Sequence, residues 1–377
     1  MSNIKVIANY LPQFHSIPEN DKWWGEGYTD WNAVKKSKPL YSGHCQPNKP
    51  LDDNYYDLSD ADNIRWQVEL ARKYGVYGFG IYHYWFNSNL KLLEKPAEIL
   101  LTNKDIDIHF CFLWDNATWK RTWSNVKYAN DWGVSNTNND SSNQSNGILA
   151  ELIYGDEVDW EKHFDYLLPF FKDDRYIKID GKPVFGIFNQ ENGTENLIKL
   201  IKCWNRLAIE NGFTGMYILG KKNHHSVNVT NHLYDYEPIR HGWLHDSFFG
   251  KVYQKLRTSF HKRMNYVDKY SYDKIWNGII RSAKEDGDVD LFYGAFVSYD
   301  DTPRRGRKGK IVCGASPEKF KKYMSKLVEI SAAQNKEYIF LTAWNEWGEG
   351  AYMEPDEKNG YAYLDALKSA IDENERR

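Results

Sequence analysis

Short apolar runs alternate with longer amphipathic stretches along most of the chain. Eight compact runs predict buried strands, at residues 4–10, 76–83, 108–113, 184–188, 216–219, 233–236, 291–298 and 337–343. Helical spacing follows most of them and predicts helices over 61–74, 90–101 (with Pro96 as an alternative start), 159–171, 195–211, 274–283, 317–333 and 361–373. Strands that alternate with helices predict a parallel sheet, and eight such units predict a (β/α)8 TIM barrel.

An open, doubly wound sheet is the main alternative to the barrel. Its dinucleotide-binding version is disfavoured, because no G-x-G-x-x-G sequence follows the first strand. A length of 377 residues suits a single catalytic barrel domain spanning 1–377 with long βα loops. A polar insertion around 124–157 has a centre rich in Ser and Asn, which predicts a mobile surface loop.

Composition and charge narrow the class of protein. The net charge of −3 gives no indication of a nucleic-acid partner. The four Cys lie far apart without a CxxC pair, so a thiolate metal site is not expected. No apolar run approaches the ~20 residues of a transmembrane segment, and no secretory signal pattern is visible, so we expect a cytoplasmic protein. The 15 Trp and 27 Tyr favour a carbohydrate groove or an aromatic interface.

The candidate chemistry centres on residues 341–350, which follow the last predicted strand. Two carboxylates, Glu346 and Glu349, stand three residues apart beside the indole rings of Trp344 and Trp347. Apolar rings can stack on a pyranose, and an apolar setting can raise a carboxyl pKa until the group serves as an acid. A solvated surface turn is the alternative, but bulky Trp on both sides suits such a turn poorly.

Other candidate residues lie at or just after the predicted strands, whose ends meet at the mouth of a barrel. We expect twelve of them to bind substrate: Tyr10, His15, Trp31, His83, Trp85, Trp114, Asn116, Trp119, Asn189, Tyr299, Trp344 and Asn345. For any single Trp, a place in the core is an equal alternative. No metal or other cofactor is expected, because the histidines between 224 and 245 lack a paired carboxylate at helical spacing. The basic run 304–310 is interpreted as a solvated loop rather than a phosphate site.

Several motifs together resemble one family. They are Tyr10-Leu-Pro-Gln-Phe-His15, Trp23-Trp24, Tyr28-Thr-Asp-Trp31, Tyr82-His-Tyr-Trp-Phe86, Asp300-Asp-Thr-Pro-Arg304, and Ala343-Trp-Asn-Glu-Trp-Gly-Glu-Gly350 with Glu354-Pro355. This set resembles the WbsX-type family, which is glycosyltransferase-like and associated with surface-polysaccharide biosynthesis. That family is similar to glycoside hydrolase family 99, the endo-α-mannosidases and endo-α-mannanases. The resemblance covers nearly the whole chain.

The resemblance implies a (β/α)8 barrel that cleaves or transfers α-linked, mannose-type bonds of an oligosaccharide or polysaccharide. It implies retention of configuration through a 1,2-anhydro sugar intermediate. Glu346 would be the base that accepts the proton of the 2-hydroxyl group. Glu349 would protonate the leaving oxygen and later deprotonate the incoming water or sugar hydroxyl.

One stretch departs from the family pattern and keeps another function open. Where related sequences carry Trp-Ala-Asn-Glu-Asn-Trp, this chain has Trp114-Asp-Asn-Ala-Thr-Trp119, so Ala117 replaces a Glu and Asp115 is added. This change motivates the hypothesis of a non-catalytic glycan binder. The glycosyltransferase-like character of the WbsX-type family motivates a further hypothesis, a nucleotide-sugar glycosyltransferase. It would need a metal-diphosphate site, for which the acidic candidates are Asp105-Ile-Asp107, Asp286-Gly-Asp-Val-Asp290 and Asp300-Asp301.

Overall fold

Eight parallel strands close into a barrel, as the alternating pattern predicts. The computed structural model describes residues 4–120, 148–222, 229–230, 232–244, 248–286 and 290–375. The barrel strands are β1 Lys5–Tyr10, β2 Val76–Asn87, β3 His109–Trp114, β4 Lys182–Ile187, β5 Tyr217–Lys221, β6 His232–Tyr234, β7 Leu291–Phe296 and β8 Tyr338–Thr342. Each strand pairs with its neighbours in chain order, and Ile7 of β1 aligns with both Gly78 of β2 and Phe340 of β8. This closure excludes the open sheet.

Helices follow most of the strands and form the outer layer. The main ones are Ala61–Lys73, Lys95–Thr102, Glu157–Phe171, Thr194–Glu210, Tyr272–Glu285, Pro317–Ala333 and Ala362–Glu375. The helix predicted over 90–101 begins later, with Pro96 in its first turn, because Leu90–Leu92 pairs with the end of β2. Between β5 and β6, the part of the chain that the structure describes contains no helix. None of the described helices is both long enough and apolar enough to cross a bilayer.

Most additional elements lie in the loops that follow the carboxyl ends of the strands, whereas Lys178–Ile179 pairs with the start of β4. The helices there are Pro18–Trp24, Asp30–Lys36, Ile239–Gly242, Phe248–Met264 and Thr302–Arg305, and the 3-10 turns are Leu51–Asp53, Gly306–Lys308 and Trp347–Glu349. The short strands outside the barrel are Trp119–Lys120, Ile148–Ala150, Lys178–Ile179, Asp268–Ser271, Lys310–Cys313, Asn345–Glu346 and Ala351–Tyr352. Of the insertion predicted around 124–157, residues 124–147 lie outside the described part of the chain.

The interior of the barrel is filled by large side chains set against glycines. Leu113 of β3 is fully buried between Gly80 and Gly186, where an added Cβ would come within 2.8 and 2.4 Å of its methyl carbons. Tyr234 and Phe340 also pack there, with ring centroids 4.9 Å apart. Because packed side chains fill the barrel, space for a ligand is expected at the mouth, among the loops after the strands.

Candidate active site

The loop after β8 reverses direction within a few residues. Asn345–Glu346 pairs antiparallel with Ala351–Tyr352, and the 3-10 turn Trp347–Glu349 connects the two segments. Gly350 completes the reversal with φ of 57°, a conformation that glycine adopts without a steric penalty. The turn places Glu346 and Glu349 close enough to contact the same guanidinium, that of Arg304.

Arg304 connects three carboxylates that come from two other loops. Its Nη2 donates to Glu346 Oε2 at 3.1 Å, and its Nη1 donates to Glu349 Oε1 at 2.9 Å. Its Nε and Nη2 also donate to the two carboxylate oxygens of Asp30, each at 3.0 Å. A planar guanidinium is suited to this arrangement because its donors point in fixed, divergent directions. The loops after β1, β7 and β8 are thereby joined at one side chain.

The interpretation of residues 304–310 as a solvated loop is wrong for Arg304. This side chain is half-buried and makes four hydrogen bonds to carboxylates, whereas Arg305, Arg307 and Lys308 are exposed. The basic run therefore combines one site residue with ordinary surface residues. Composition could not separate them, because the partner Asp30 lies 274 positions away in the sequence.

Burial is the main electrostatic influence on Glu346. The residue is 4 % exposed, and burial raises its pKa to about 8. Arg304 acts in the opposite direction, whereas Glu349 and Asp30 raise the pKa further. One guanidinium faces three acids, so the group as a whole retains a proton near neutral pH. Glu349 differs from Glu346 in being the more accessible acid, with 20 % of its side chain exposed.

Gly348 allows Asp30 and Arg304 to approach the turn. Its N–H donates to Asp30 Oδ2 at 3.1 Å. A Cβ at this position would lie 2.4 Å from the same oxygen and 2.5 Å from Arg304 Nε. Any side chain here would therefore displace the arginine or the aspartate that hold the loop.

Two residues that we expected to bind substrate are used within the protein interior, where they support the turn. Asn345 accepts from Leu11 N at 2.7 Å and donates to Leu11 O at 3.0 Å, so both ends of its amide are used within the protein. Trp344 is fully buried, and its ring packs 5.5 Å from that of Phe79. Neither side chain is presented to the mouth.

A buried carboxylate, Glu354, fixes the other side of the turn. It accepts hydrogen bonds from Trp347 Nε1 at 2.6 Å, Gln67 Nε2 at 2.6 Å and Tyr56 Oη at 2.8 Å. Burial raises its pKa to about 7, against the opposing effect of these donors. Tyr10 donates to Gln67 Oε1 at 2.7 Å, so this predicted site residue belongs to the supporting network.

Trp31 also belongs to the supporting structure. Its Nε1 donates to Tyr56 O at 2.8 Å, and its ring lies 5.5 Å from that of Trp347. His15 is likewise buried, at 3 % exposure, and burial lowers its pKa. The motif around Tyr28-Thr-Asp-Trp31 therefore contributes to the site through Asp30, which was not among the predicted binding residues.

Strand β2 sends alternate side chains to opposite faces. His83 and Trp85 point to the helix Glu157–Phe171, where His83 Nε2 lies 2.8 Å from His163 Nε2 and Trp85 stacks on the same imidazole at 4.2 Å. Burial lowers the pKa of His83 to about 3. The structure thus does not bring these two predicted residues to the carboxylate pair. Their neighbours Tyr82 and Tyr84 face it, and Glu346 contributes to the raised pKa of both hydroxyls, after burial.

Tyr82 and Tyr84 form part of a surface that lines the mouth beside the carboxylate pair, which we call the inner surface. It is extended by Tyr236, Lys221 and Asp115. Tyr236 Oη lies 2.7 Å from Tyr82 Oη, and both Glu346 and Glu349 add to the effect of burial in raising its pKa. Lys221 Nζ lies over the ring of Tyr236 at 5.4 Å and over that of Phe188 at 4.9 Å. Burial raises the pKa of Asp115 to about 6, partly offset by Lys221. These polar groups are half-buried and converge on the mouth.

Of the remaining predicted residues, some lie beside the inner surface and others support it from the protein interior. Trp119 packs on Tyr84, with ring centroids 5.0 Å apart, which places it beside the inner surface. Tyr299 lies near Glu349, which adds to the effect of burial in raising its pKa. By contrast, Trp114 is buried, with its Nε1 donating to Trp85 O at 2.9 Å. Asn116 uses its amide to hold the backbone of Asn189, with both bonds at 2.7–2.8 Å.

The histidines considered as metal ligands lie apart where they are described. His232 Nδ1 contacts Asp290 Oδ1 at 3.1 Å, and His241 Nδ1 contacts Glu237 Oε1 at 2.5 Å. Glu237 stands four residues before His241, so the expectation that no carboxylate pairs with these histidines at helical spacing is wrong for His241. Residues 224, 225 and 245 lie outside the described part of the chain.

Comparisons with known proteins agree with the resemblance found in the motifs. The family model described as Glycosyltransferase WbsX matches residues 6–367. Two curated relatives are both uncharacterized proteins WxcX, from two strains of Xanthomonas campestris pv. campestris. Each is 28 % identical over 372 residues, which are 97 % of this chain and 49 % of the relative. The chain therefore spans about half the length of the curated relatives it matches.

Solved structures share the fold at low sequence identity. The GH99 endo-alpha-mannosidase from Bacteroides thetaiotaomicron superposes with a TM-score of 0.55 at 15 % identity, over 98 % of this chain and 97 % of that chain. A glycoside hydrolase-like protein superposes with a TM-score of 0.59 at 13 % identity, over 98 % and 94 % of the two chains. At these identities the likeness concerns the barrel and its connections.

Proposed function

Because the chain belongs to the family described as Glycosyltransferase WbsX, we propose that it is a carbohydrate-active enzyme that cleaves or transfers α-linked, mannose-type glycosidic bonds with retention. The observation that carries this proposal is the pair Glu346 and Glu349 on one turn, held by Arg304 among tyrosine and tryptophan rings. The mannose-type linkage is suggested by the name of one structural neighbour, an endo-alpha-mannosidase.

The placement of the two acids favours an unusual route to retention. Most retaining enzymes hold two carboxyls ~5 Å apart on opposite sides of the reacting carbon, and one of them attacks it. Glu346 and Glu349 instead lie on one short turn and contact neighbouring nitrogens of one guanidinium. Two acids so placed are suited to two neighbouring oxygens of one sugar, the 2-hydroxyl and the leaving oxygen.

In the proposed reaction, Glu346 accepts the proton of the 2-hydroxyl while O2 attacks C1 and forms a 1,2-anhydro ring. The bond from C1 to the leaving oxygen breaks, and Glu349 gives that oxygen a proton. Glu349 then accepts a proton from water or from an acceptor hydroxyl, which opens the ring at C1. Glu346 returns its proton to O2. A base with a pKa of about 8 holds a proton more strongly than an ordinary carboxylate, which suits removal of a hydroxyl proton.

The inner surface is proposed to bind the sugar rings. Tyr84 and Trp119 offer aromatic faces, and Tyr236 offers a hydroxyl beside the carboxylate pair. Asp115 and Lys221 supply an acceptor and a donor on the same surface, at the position where Ala117 departs from the family pattern. We propose that these two residues take over hydrogen bonds that the family's Glu would make.

Glutamine variants test the two proposed roles. Glu346→Gln and Glu349→Gln are each expected to reduce turnover of α-linked manno-oligosaccharides at least about a hundredfold. With α-mannosyl fluoride, whose leaving group needs little protonation, Glu349→Gln should recover activity and Glu346→Gln should not. Glu69→Gln, on the exposed surface of a helix, is the matched control.

The pH profile and the product anomer provide independent evidence. If Glu346 is the base and Glu349 the acid, kcat/KM should follow a bell-shaped pH profile with one limb near pH 8, because turnover needs Glu346 ionised and Glu349 protonated at the same time. NMR of the first-formed product should show the α-anomer. Full activity in both glutamine variants would refute the proposal. Recovery of Glu346→Gln alone by the fluoride would reverse the two roles.

The family's description favours transfer to a sugar as a second version of this reaction, with an acceptor hydroxyl in place of water. The nucleotide-sugar alternative has less support. Asp105 and Asp107 precede β3, at the end of the barrel opposite the mouth, and they pair with Arg65 and Arg72. Asp300 accepts from Gln46 and contacts His44, both at 2.8 Å. Turnover that requires a nucleotide sugar and added metal would favour this alternative.

The remaining hypothesis is glycan binding without catalysis. Calorimetry that detects binding of manno-oligosaccharides, together with unchanged glycan after long incubation, would favour it. The glutamine variants would then bind as tightly as the unmodified protein.

A further inference from the structure

The helix Phe248–Met264 exposes its apolar side. Val252, Tyr253, Leu256, Phe260 and Met264 are all exposed, Leu256 at 65 % and Phe260 at 57 %. At about 100° per residue, these five positions fall within an arc of roughly 120°. They therefore lie on one side of the helix, on which Arg263 also falls, and we call these five apolar residues the outer stripe.

Residues outside this arc attach the helix to the protein through polar contacts. Gln254 Nε2 donates to Tyr270 Oη at 2.7 Å, and Arg257 Nε donates to Asp268 Oδ1 at 2.7 Å. Arg257 Nη2 also donates to Lys269 O at 2.5 Å. A surface helix ordinarily turns its apolar stripe to the core and its polar residues to water. This helix does the reverse, so the outer stripe is available to something other than the protein's own core.

Charge distinguishes between the candidates for the occupant. Residues 248–267 contain five Lys and Arg and no Asp or Glu, in a chain whose net charge is −3. Lys255 and Arg263 are exposed on this helix together with the outer stripe. Exposed apolar residues combined with cations, without a single anion, match an anionic lipid surface: apolar groups enter the acyl boundary, and cations meet the headgroups.

The helix lies on the same side of the barrel as the candidate active site. Tyr270 packs against Trp243 with ring centroids 5.2 Å apart, and Trp243 packs against Tyr299 at 5.1 Å. The strand Asp268–Ser271 pairs with Lys310–Cys313, which belongs to the loop that carries Arg304. A surface that binds the outer stripe would therefore lie beside the mouth of the barrel.

We propose that the helix Phe248–Met264 binds the surface of an anionic lipid bilayer through its outer stripe. The helix lies in the plane of the interface, with Leu256 and Phe260 below the headgroups. Lys255 and Arg263 remain at headgroup level. The mouth of the barrel then faces material at the bilayer surface. Such binding requires no helix that crosses the membrane, and it stands independently of the proposed reaction.

Vesicle sedimentation tests the proposal with the full chain. Vesicles of phosphatidylcholine with phosphatidylglycerol should bind the protein, and vesicles of phosphatidylcholine alone should bind it at least about tenfold less. The double variant L256Q/F260Q should lose at least about tenfold in binding, and K255Q/R263Q should lose binding mainly at low salt. The control I198Q/I209Q removes two exposed isoleucines from the helix Thr194–Glu210 and should bind normally. Circular dichroism and thermal unfolding of each variant establish that it folds.

Two results would overturn the proposal. The first is an unmodified protein that stays in the supernatant with the anionic vesicles, or that binds both kinds of vesicle equally. The second is a change of oligomeric state in L256Q/F260Q, seen by sedimentation velocity, without any vesicle binding by the parent. The outer stripe would then be an interface between copies of the chain.

Discussion

Replacing Glu346 by glutamine separates the energetic effect of its charge from the shape of its side chain. Glutamine keeps an oxygen that can accept from Arg304 Nη2, as Glu346 Oε2 does at 3.1 Å. Arg304 also keeps its bonds to Asp30 and Glu349. The substitution therefore removes one titrating group from a buried position and leaves the connection between the three loops in place.

The raised pKa of Glu346 determines the sign and size of the expected effect. In the folded protein its pKa is about 8, against an ordinary value of 4.5. The folded state therefore holds this proton more tightly than the unfolded state does. The stabilising contribution is complete below pH 4.5 and is lost as the pH rises to about 8. At ~1.4 kcal/mol per pKa unit, the full loss is about 5 kcal/mol, an upper bound for one member of a coupled group.

Glutamine does not titrate, so the free energy of unfolding of the variant does not include this pH-dependent loss. Relative to the unmodified protein, Glu346→Gln should gain stability as the pH rises from about 5 to about 8, by about 2 to 5 kcal/mol, and the difference should become constant above that. Urea unfolding at several pH values and constant ionic strength measures the difference, because titrations common to both proteins cancel. Glu69→Gln, which removes an exposed carboxylate by the same change of side chain, is the matched control in this assay.

A difference between Glu346→Gln and the parent that does not vary with pH would refute the reasoning. The reasoning would also be refuted if the free energy of unfolding of the parent increased relative to that of the variant as the pH rises. Either result would mean that Glu346 is ionised in the folded protein well below pH 8, and that Arg304 outweighs burial.

Three further substitutions test other parts of the site. Arg304→Met leaves three acids without their shared cation, so it should destabilise the protein by about 3 kcal/mol at pH 8. The loss should be smaller at pH 5.5, where Glu346 holds a proton, and urea unfolding at both pH values measures it. Gly348→Ala should lower the free energy of unfolding by about 1 to 3 kcal/mol, because the added Cβ would lie 2.4 Å from Asp30 Oδ2. At the control position Gly278, an added Cβ makes only ordinary contacts, so Gly278→Ala should change the free energy of unfolding little in the same assay. Lys221→Met should raise KM for the glycan about tenfold with kcat nearly unchanged. Lys222, whose ammonium pairs with Asp286 instead, supplies the control Lys222→Met, which should alter neither constant. Equal effects of the two lysine variants would contradict the assignment of Lys221 to sugar binding.

The fold could be predicted from sequence because its signal is local and repeated. Each strand and most helices are visible as separate patterns, and eight repeats of the unit favour closure. The register of a strand is less visible. In Tyr82-His-Tyr-Trp-Phe86, the sequence predicts a strand that ends in aromatic residues, but it does not say which alternate set faces inward. His83 and Trp85 were expected at the mouth, whereas Tyr82 and Tyr84 lie there.

The candidate site could be predicted only where its residues are contiguous. Glu346 and Glu349 stand together in the sequence and meet at Arg304 in the structure. The contact of Arg304 with Asp30 could not be foreseen, because it joins loops 274 positions apart. The outer stripe shows a similar limit: the spacing of Leu256 and Phe260 indicates an amphipathic helix, but the polar partners Tyr270 and Asp268 determine which side faces the protein.

The guanidinium of Arg304 also constrains how this mouth can change over time or in the laboratory. It connects three separately encoded segments, so an alteration in any one of them disturbs the geometry of the other two. Substitution of Asp30, Arg304 or Glu346 alone should therefore be tolerated less well than a combined change that keeps their charges balanced. A variant that changes one of them alone would carry unbalanced charge at the centre of its candidate site.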